Sequence, residues 1–219
     1  MFTRGPGRPA KINRVDIERA VLTLGFTDAS TTAIARHLGV DQSSLYRHIG
    51  SRRELLRGAV DRAIAENTSD FSHSTWRNYL TGLAEREWSF LAEHRGIAGV
   101  LQDLEATPPS GIIRLLEESV QVLHKTYDWP IPDALLILDT LMDMTIDTVN
   151  RTERLLAKVD ATDLDTAAGD LLRHSELSTD ITGTLSDIIE TGLDQWWRRK
   201  VELLLDGAER LAPHHGGTD

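Results

Sequence analysis

Gln42, Ser43, Ser44, Tyr46, Arg47 and His48 fall within seven residues of one another. Their side chains suit one kind of chemistry, hydrogen bonding to base edges and phosphates. Arginine can fork onto O6 and N7 of guanine, glutamine can pair with adenine, and serine can pair with either. The spacing supports this. Leu45 and Ile49 are four residues apart and take the buried side of a short helix. Ser43 and Arg47 then share one outer face, and Ser44 and His48 share another beside it.

Such a helix needs neighbours to aim it. The pattern predicts a first helix from about Asn13 to Leu24, with Ile17, Ala20, Val21 and Leu24 buried and Gly25 ending it. A second spans about Thr32 to Leu38, capped by Ser30 or Thr31. Gly39 makes the turn, where a left-handed backbone meets no Cβ. Asp41 is placed to cap the third, Gln42 to His48. Ser51-Arg52-Arg53-Glu54 has the form of a capping box, so a fourth helix, 52–66, starts there. Its stripe is Leu55, Leu56, Ala59, Val60, Ala63 and Ile64. Helix, turn, short helix, turn and helix over Thr31–Arg57 is an arrangement that docks in the DNA major groove.

Charge is divided in the same way. Of 219 residues, 1–57 hold ten Lys/Arg and five Asp/Glu, whereas the remainder holds fourteen and twenty-nine. The net charge of −10 therefore hides a cationic head on an acidic body, and only the head should approach DNA. The chain has no Cys, which excludes disulfides, thiolate nucleophiles and cysteine metal sites. No apolar run approaches the roughly 20 residues that span a bilayer, and the basic N-terminus lacks the apolar stretch of a secretory signal. The expectation is a soluble, cytoplasmic protein with no membrane partner.

The body also reads as helices, at about 74–94, 96–104, 108–127, 133–156 and 181–211, with a polar, acidic stretch at 158–180. No segment alternates as a strand would. The expected fold is all-α. A flexible basic arm (1–11) precedes a helix-turn-helix domain (12–53), a larger regulatory and dimerisation domain (54–211) and a tail (212–219).

The run Thr31-Thr32, Ile34-Ala35, Leu38-Gly39-Val40, Leu45-Tyr46-Arg47-His48 and Arg53-Glu54-Leu55-Leu56 resembles the DNA-binding head of the tetracycline-repressor (TetR) family of bacterial transcriptional regulators. The resemblance covers about residues 12–64. It implies that Gln42, Ser43, Ser44, Arg47 and His48 face bases or nearby phosphates. It also implies that Tyr46, Thr31, Thr32 and Arg52 meet the DNA backbone. The stretch from Gly192 to Gly207 resembles the last helix that many members use to dimerise. A homodimer on a palindromic double-stranded operator, released by a small-molecule effector, is the implied function, most simply that of a repressor. An activator or ligand-independent DNA binder is the alternative, and a helical enzyme borrowing the motif a third. The family archetype places histidines just after the fourth helix to hold its drug and metal. Asn67-Thr68-Ser69 stand there instead, which argues against tetracycline as the effector.

Other residues invite sharper readings than they support. Trp88, His94, Trp129 and Met142 are candidate effector contacts, although core packing or helix-end bonding explains each. Met144, Asp143 and Asp147 read as core and solvated acids. His214-His215 reads as a tail. Asp160, Asp163 and Asp165 lack the glycine and closing glutamate of a calcium loop. No Ser/His/Asp set, metal spacing or phosphate loop is present, so no catalysis, cofactor or metal is expected.

Overall fold

A computed structural model of the chain describes residues 12–67, 74–158 and 177–213. Among them every regular element is a helix: α1 (Arg14–Leu24), α2 (Thr31–Leu38), α3 (Gln42–Leu45), α4 (Arg52–Glu66), α5 (Trp76–Glu93), α6 (Ile97–Asp103), α7 (Ser110–Tyr127), α8 (Ile131–Lys158), α9 (Thr179–Thr191) and α10 (Leu193–Ala208). The fold is all-α. The basic arm, the Asp160–Asp165 stretch and His214-His215 lie outside the described residues.

The chain divides into two units. One joins Met1–Thr68 with His94–Ile112, and the other joins Ser69–Glu93 with Ile113–Asp219. All of α4, together with α6, thus falls with α1–α3. The expected boundary after residue 53 falls inside α4 (Arg52–Glu66).

In the first unit, α1 begins with a reciprocal capping box. Asp16 N–H donates to Asn13 Oδ1 and Asn13 N–H to Asp16 Oδ2, both at 3.0 Å, which satisfies two donors that the first turn leaves unpaired. Ile17, Ala20 and Val21 form its buried stripe, packed against α2 and α4. Glu18 is only 5% exposed. Arg14 Nε and Arg62 Nε donate to its two oxygens at 2.8 and 2.9 Å, supplying the compensation a buried charge needs. Gly58 makes room for this pair, because a Cβ there would stand 2.4 Å from Glu18 Oε1. Gly96 does the same at the α5–α6 corner. Its φ is +84°, and a Cβ would meet Thr27 N at 2.8 Å, so glycine is favoured on two grounds.

In the second unit, α5, α7, α8 and α10 supply one apolar core that includes Leu80, Leu123, Trp129, Leu141, Trp197 and Leu205. Two ion-pair groups tie α5 to α10. Arg77 bridges Asp206 and Glu209, and Arg198 bridges Glu85 and Asp194. The sequence pattern suggested one helix over 181–211. Gly192, at φ +104°, instead separates α9 from α10, since a left-handed backbone ends a right-handed helix.

Candidate nucleic-acid interface

Ser30 caps α2, its Oγ accepting from Ala33 N–H at 3.1 Å. Of the two candidates for that role, Ser30 takes it, and Thr31 becomes the first helical residue with its hydroxyl available elsewhere. Gly39 adopts the left-handed conformation, φ +67°. Val40 N–H then returns to Ala35 O at 3.0 Å, closing the helix in the manner of a glycine C-cap.

The chain re-enters helix at Gln42. Asp41 stands at the N-cap with extended backbone, but its side chain makes no capping bond. This corrects the expected cap, and a backbone turn, Ser44 N–H to Asp41 O at 2.9 Å, holds the entry instead. The helix is also shorter than its pattern suggested. After Leu45 the backbone tightens, with His48 N–H donating to Leu45 O at 2.8 Å. Tyr46 to His48 therefore form a turn that extends the helical face. Leu45 and Ile49 are buried, and that single anchorage turns their neighbours outward. Gln42, Ser43, Tyr46, Arg47 and His48 are exposed and Ser44 is half-buried. Tyr46 is 57% exposed.

Thr32 is exposed at the start of α2 and Thr31 half-buried. Gln42 Nε2 donates to Thr31 Oγ1 at 2.6 Å, so two of the expected DNA residues already touch across the turn. Arg52 is exposed, yet its Nη1 donates to Ala29 O at 2.7 Å. It therefore also ties α4 to the α1–α2 loop, a structural role that the sequence did not suggest. Ser51 caps α4 through Glu54 N–H at 3.1 Å. The reciprocal half of that box does not form. Glu54 turns to Arg14 Nη1 at 2.6 Å, and this hydrogen bond is the main reason its carboxyl lies below the usual range, with Gly50 N–H assisting.

A second constellation on α4 escaped the sequence reading. Arg53 Nη2 donates to Asp103 O at 2.8 Å and Arg57 Nη2 to Thr107 Oγ1 at 2.7 Å. Asp61 accepts from Gly111 N–H at 2.7 Å and Ser110 Oγ at 3.2 Å, capping α7 from outside. The signal was present, since 53, 57 and 61 recur every four residues on a polar side of α4. Its partners lie about 50 residues away and could not be read from periodicity.

Of the four candidate effector contacts, Trp129 lies in the apolar core of the second unit and Trp88 packs against that core. Trp129 is buried edge-on to Trp76, at 5.2 Å between centroids. Trp88 lies against Trp197 at 4.6 Å. Residues 76 and 88 stand about 18 Å apart along α5, at 1.5 Å per residue. Met142 is half-buried on α8. His94, also half-buried, belongs to the other unit, where its carbonyl accepts from Ile97 N–H at 2.9 Å. Nearby in sequence to Trp88, Glu87 is half-buried, and burial pushes its carboxyl up to about 8, with Asp143 adding to the effect. Among the described residues no group of three or more His, Cys, Asp or Glu is arranged to hold a metal ion. None of their helices is long and apolar enough to cross a membrane.

A buried Leu45–Ile49 anchor beneath an exposed polar face, fed by a glycine-closed helix, defines a helix-turn-helix protein. Residues 23–59 match the model of bacterial regulatory proteins of the tetR family. Residues 23–59 thus carry the DNA-binding segment of that family. It is similar to the HTH-type transcriptional repressor DrrR1 of Streptomyces coeruleorubidus, 30% identical over 115 residues. That match takes in 50% of this chain and 42% of the relative, less than half of that protein's length. Among solved structures, a possible TetR family regulator from Streptomyces coelicolor A3(2) aligns at a TM-score of 0.73, with 19% identity, over 90% of this chain and 99% of its own. ActR from Streptomyces coelicolor, in complex with actinorhodin, aligns at 0.67 with 21% identity, over 94% and 99%. At these identities the structures show a shared fold.

Proposed function

We propose that the chain is a ligand-responsive transcriptional repressor that binds a palindromic operator as a homodimer and acts in the cytoplasm, without catalysis of its own. The observation that carries this reading is the exposed set Gln42, Ser43, Tyr46, Arg47 and His48 standing over buried Leu45 and Ile49. Arg47 and Gln42 supply base-reading chemistry. Thr32, Tyr46 and Arg52 supply backbone contacts, which set register and salt dependence. DrrR1 is named a repressor, which favours repression over activation.

One head reads few base pairs, and two heads related by a two-fold axis read a palindrome with half-sites about 34–36 Å apart or at multiples of that. Leu203 of α10 is 75% exposed, and Ile181 of α9 and Leu211 are also uncovered. Apolar surface of this kind on α9 and α10, helped by α8, suits a partner subunit. An effector binding in the body would favour a form whose heads miss the grooves. The Arg53, Arg57 and Asp61 tethers make α4 the natural lever, because any shift of residues 103–111 must pull on it. The structure of ActR with actinorhodin supports an aromatic small molecule as the effector class.

The test is selection of duplexes from a random pool by the full-length chain, followed by mass measurement of the complex. Enrichment of a palindrome bound by two chains is the expected result. No enrichment overturns the DNA reading. Enrichment of a non-palindromic site bound by one chain overturns the dimer. Actinorhodin is the first effector probe. Release of the duplex supports the effector class, and continued binding at saturating actinorhodin argues against it.

A further inference from the structure

The family resemblance implies for Thr31 only a place where the second helix meets the DNA backbone. The hydrogen bonding around it indicates something else. Ser30, one residue earlier, holds the capping position through Ala33 N–H at 3.1 Å. The Thr31 hydroxyl is thereby free of the cap and sits on the first turn of α2. Gln42 is the first residue of α3, eleven residues on, and its Nε2 reaches Thr31 Oγ1 at 2.6 Å. Gln42 is exposed, so its long side chain would otherwise sample many rotamers. Thr31 is half-buried, and a β-branched side chain is stiff at χ1. A stiff, half-buried acceptor therefore holds a flexible, exposed donor.

We propose that Thr31 is a positioning residue for sequence recognition, orienting the Gln42 carboxamide so that its remaining edge reads an adenine in the operator. This rests on the DNA-binding reading above. A carboxamide has two N–H groups and one oxygen. Adenine in the major groove offers N6–H as donor and N7 as acceptor, and glutamine meets both with its oxygen and one N–H. The hydrogen bond to Thr31 takes a single N–H. If it is the one trans to Oε1, the oxygen and the cis N–H stay paired on the outward edge. The contact then settles the side chain before DNA arrives, which favours binding through preorganisation. It also connects the two helices of the motif, so α2 influences which base α3 selects.

The experiment uses the full-length chain and the duplex that the wild type enriches, with each base pair of one half-site varied in turn. Thr31→Val keeps the shape and removes the acceptor. It is expected to lower the preference for adenine at one symmetric position about tenfold, while the slope of log affinity against log salt stays at the wild-type value. Thr31→Ser should restore the preference. Gln42→Ala should lose it at the same position, and the Thr31→Val/Gln42→Ala pair should lose no more than Gln42→Ala alone. Circular dichroism of each variant confirms that the helices persist. Unchanged preference in Thr31→Val overturns the proposal. So does uniform weakening on all duplexes with a shallower salt slope, which would mark Thr31 as a phosphate contact only. A wild type that enriches no sequence overturns the DNA reading itself and this inference with it.

Discussion

The two units of this chain hold themselves together differently. In the first, polar side chains reach between elements to fixed partners: Arg62 of α4 to Glu18 of α1, Arg52 to Ala29 O, Asp61 to Gly111 N–H. In the second, large rings fill a core, and charged pairs line its outside. Directional bonds fix geometry to fractions of an ångström, which a reader of base edges requires. Ring packing specifies volume more than direction and tolerates substitution by similar shapes. A unit fixed by directional bonds and a unit fixed by ring packing should therefore differ in the substitutions each tolerates.

The largest expected effect lies in the second unit. Trp197 is fully buried, and its Nε1 donates to Thr145 Oγ1 at 3.1 Å. Trp197→Ala should cost about 3–5 kcal/mol in chemical denaturation. A loss near 1 kcal/mol would mean the core is loosely packed. Trp129 sharpens the point. It is equally buried, but among the described residues its Nε1 has no hydrogen-bond partner. Trp129→Phe should thus cost about 1 kcal/mol less than Trp197→Phe, because only the latter breaks a bond and leaves Thr145 short of a donor. Equal costs would contradict that distinction.

Next comes the first unit's ion-pair group. Arg62→Ala leaves Glu18 buried with only Arg14, and a loss of about 2 kcal/mol is expected. Gly58→Ala, which pushes a methyl into the same carboxylate, should cost about 1–3 kcal/mol. Both should weaken DNA binding only in proportion to the unfolded fraction. A binding loss well beyond that proportion would show that this pair sets the recognition geometry directly.

Arg47→Ala should lose about 1–3 kcal/mol of discrimination at one operator position if it meets a base. Uniform weakening with a shallower salt slope would assign it to phosphate. The smallest effect is a pH dependence in the second unit. Burial raises Glu87 from its ordinary 4.5 to about 8. The folded chain then holds a proton that the unfolded chain has released, so stability falls as pH rises between those values and levels off above about 8. Glu87→Gln should remove that slope, on the order of 1 kcal/mol after screening. A wild-type stability that is flat or rises across that window would rule out the protonated Glu87 carboxyl.

What could be read in advance follows the same division. Helix-turn-helix geometry is local. Gly39 must sit at a left-handed corner, Leu45 and Ile49 must be four apart, and a small polar residue must precede each helix, so residue types at fixed offsets disclose it. The Asn13–Asp16 box obeys the same rule, with Asn and Asp in place of the commoner Ser and Glu. Arg52 and Glu54 misled for a different reason. Each has local partners at hand but takes one 23 or 40 residues away, and long side chains choose by tertiary position. In the second unit, periodicity gave helices at nearly their observed limits, apart from the break at Gly192. Placing Trp88 beside Trp197 and Trp129 beside Trp76 depends on how helices stack, which no single helix encodes.

The most direct test of the central claim is the affinity of the full-length chain for its enriched duplex and for a scrambled duplex of equal composition, each measured from low to physiological salt. The account predicts at least about a thousandfold preference for the enriched sequence, with affinity for both falling steeply as salt rises. Equal affinity for the two duplexes would show that the face from Thr31 to His48 reads no sequence.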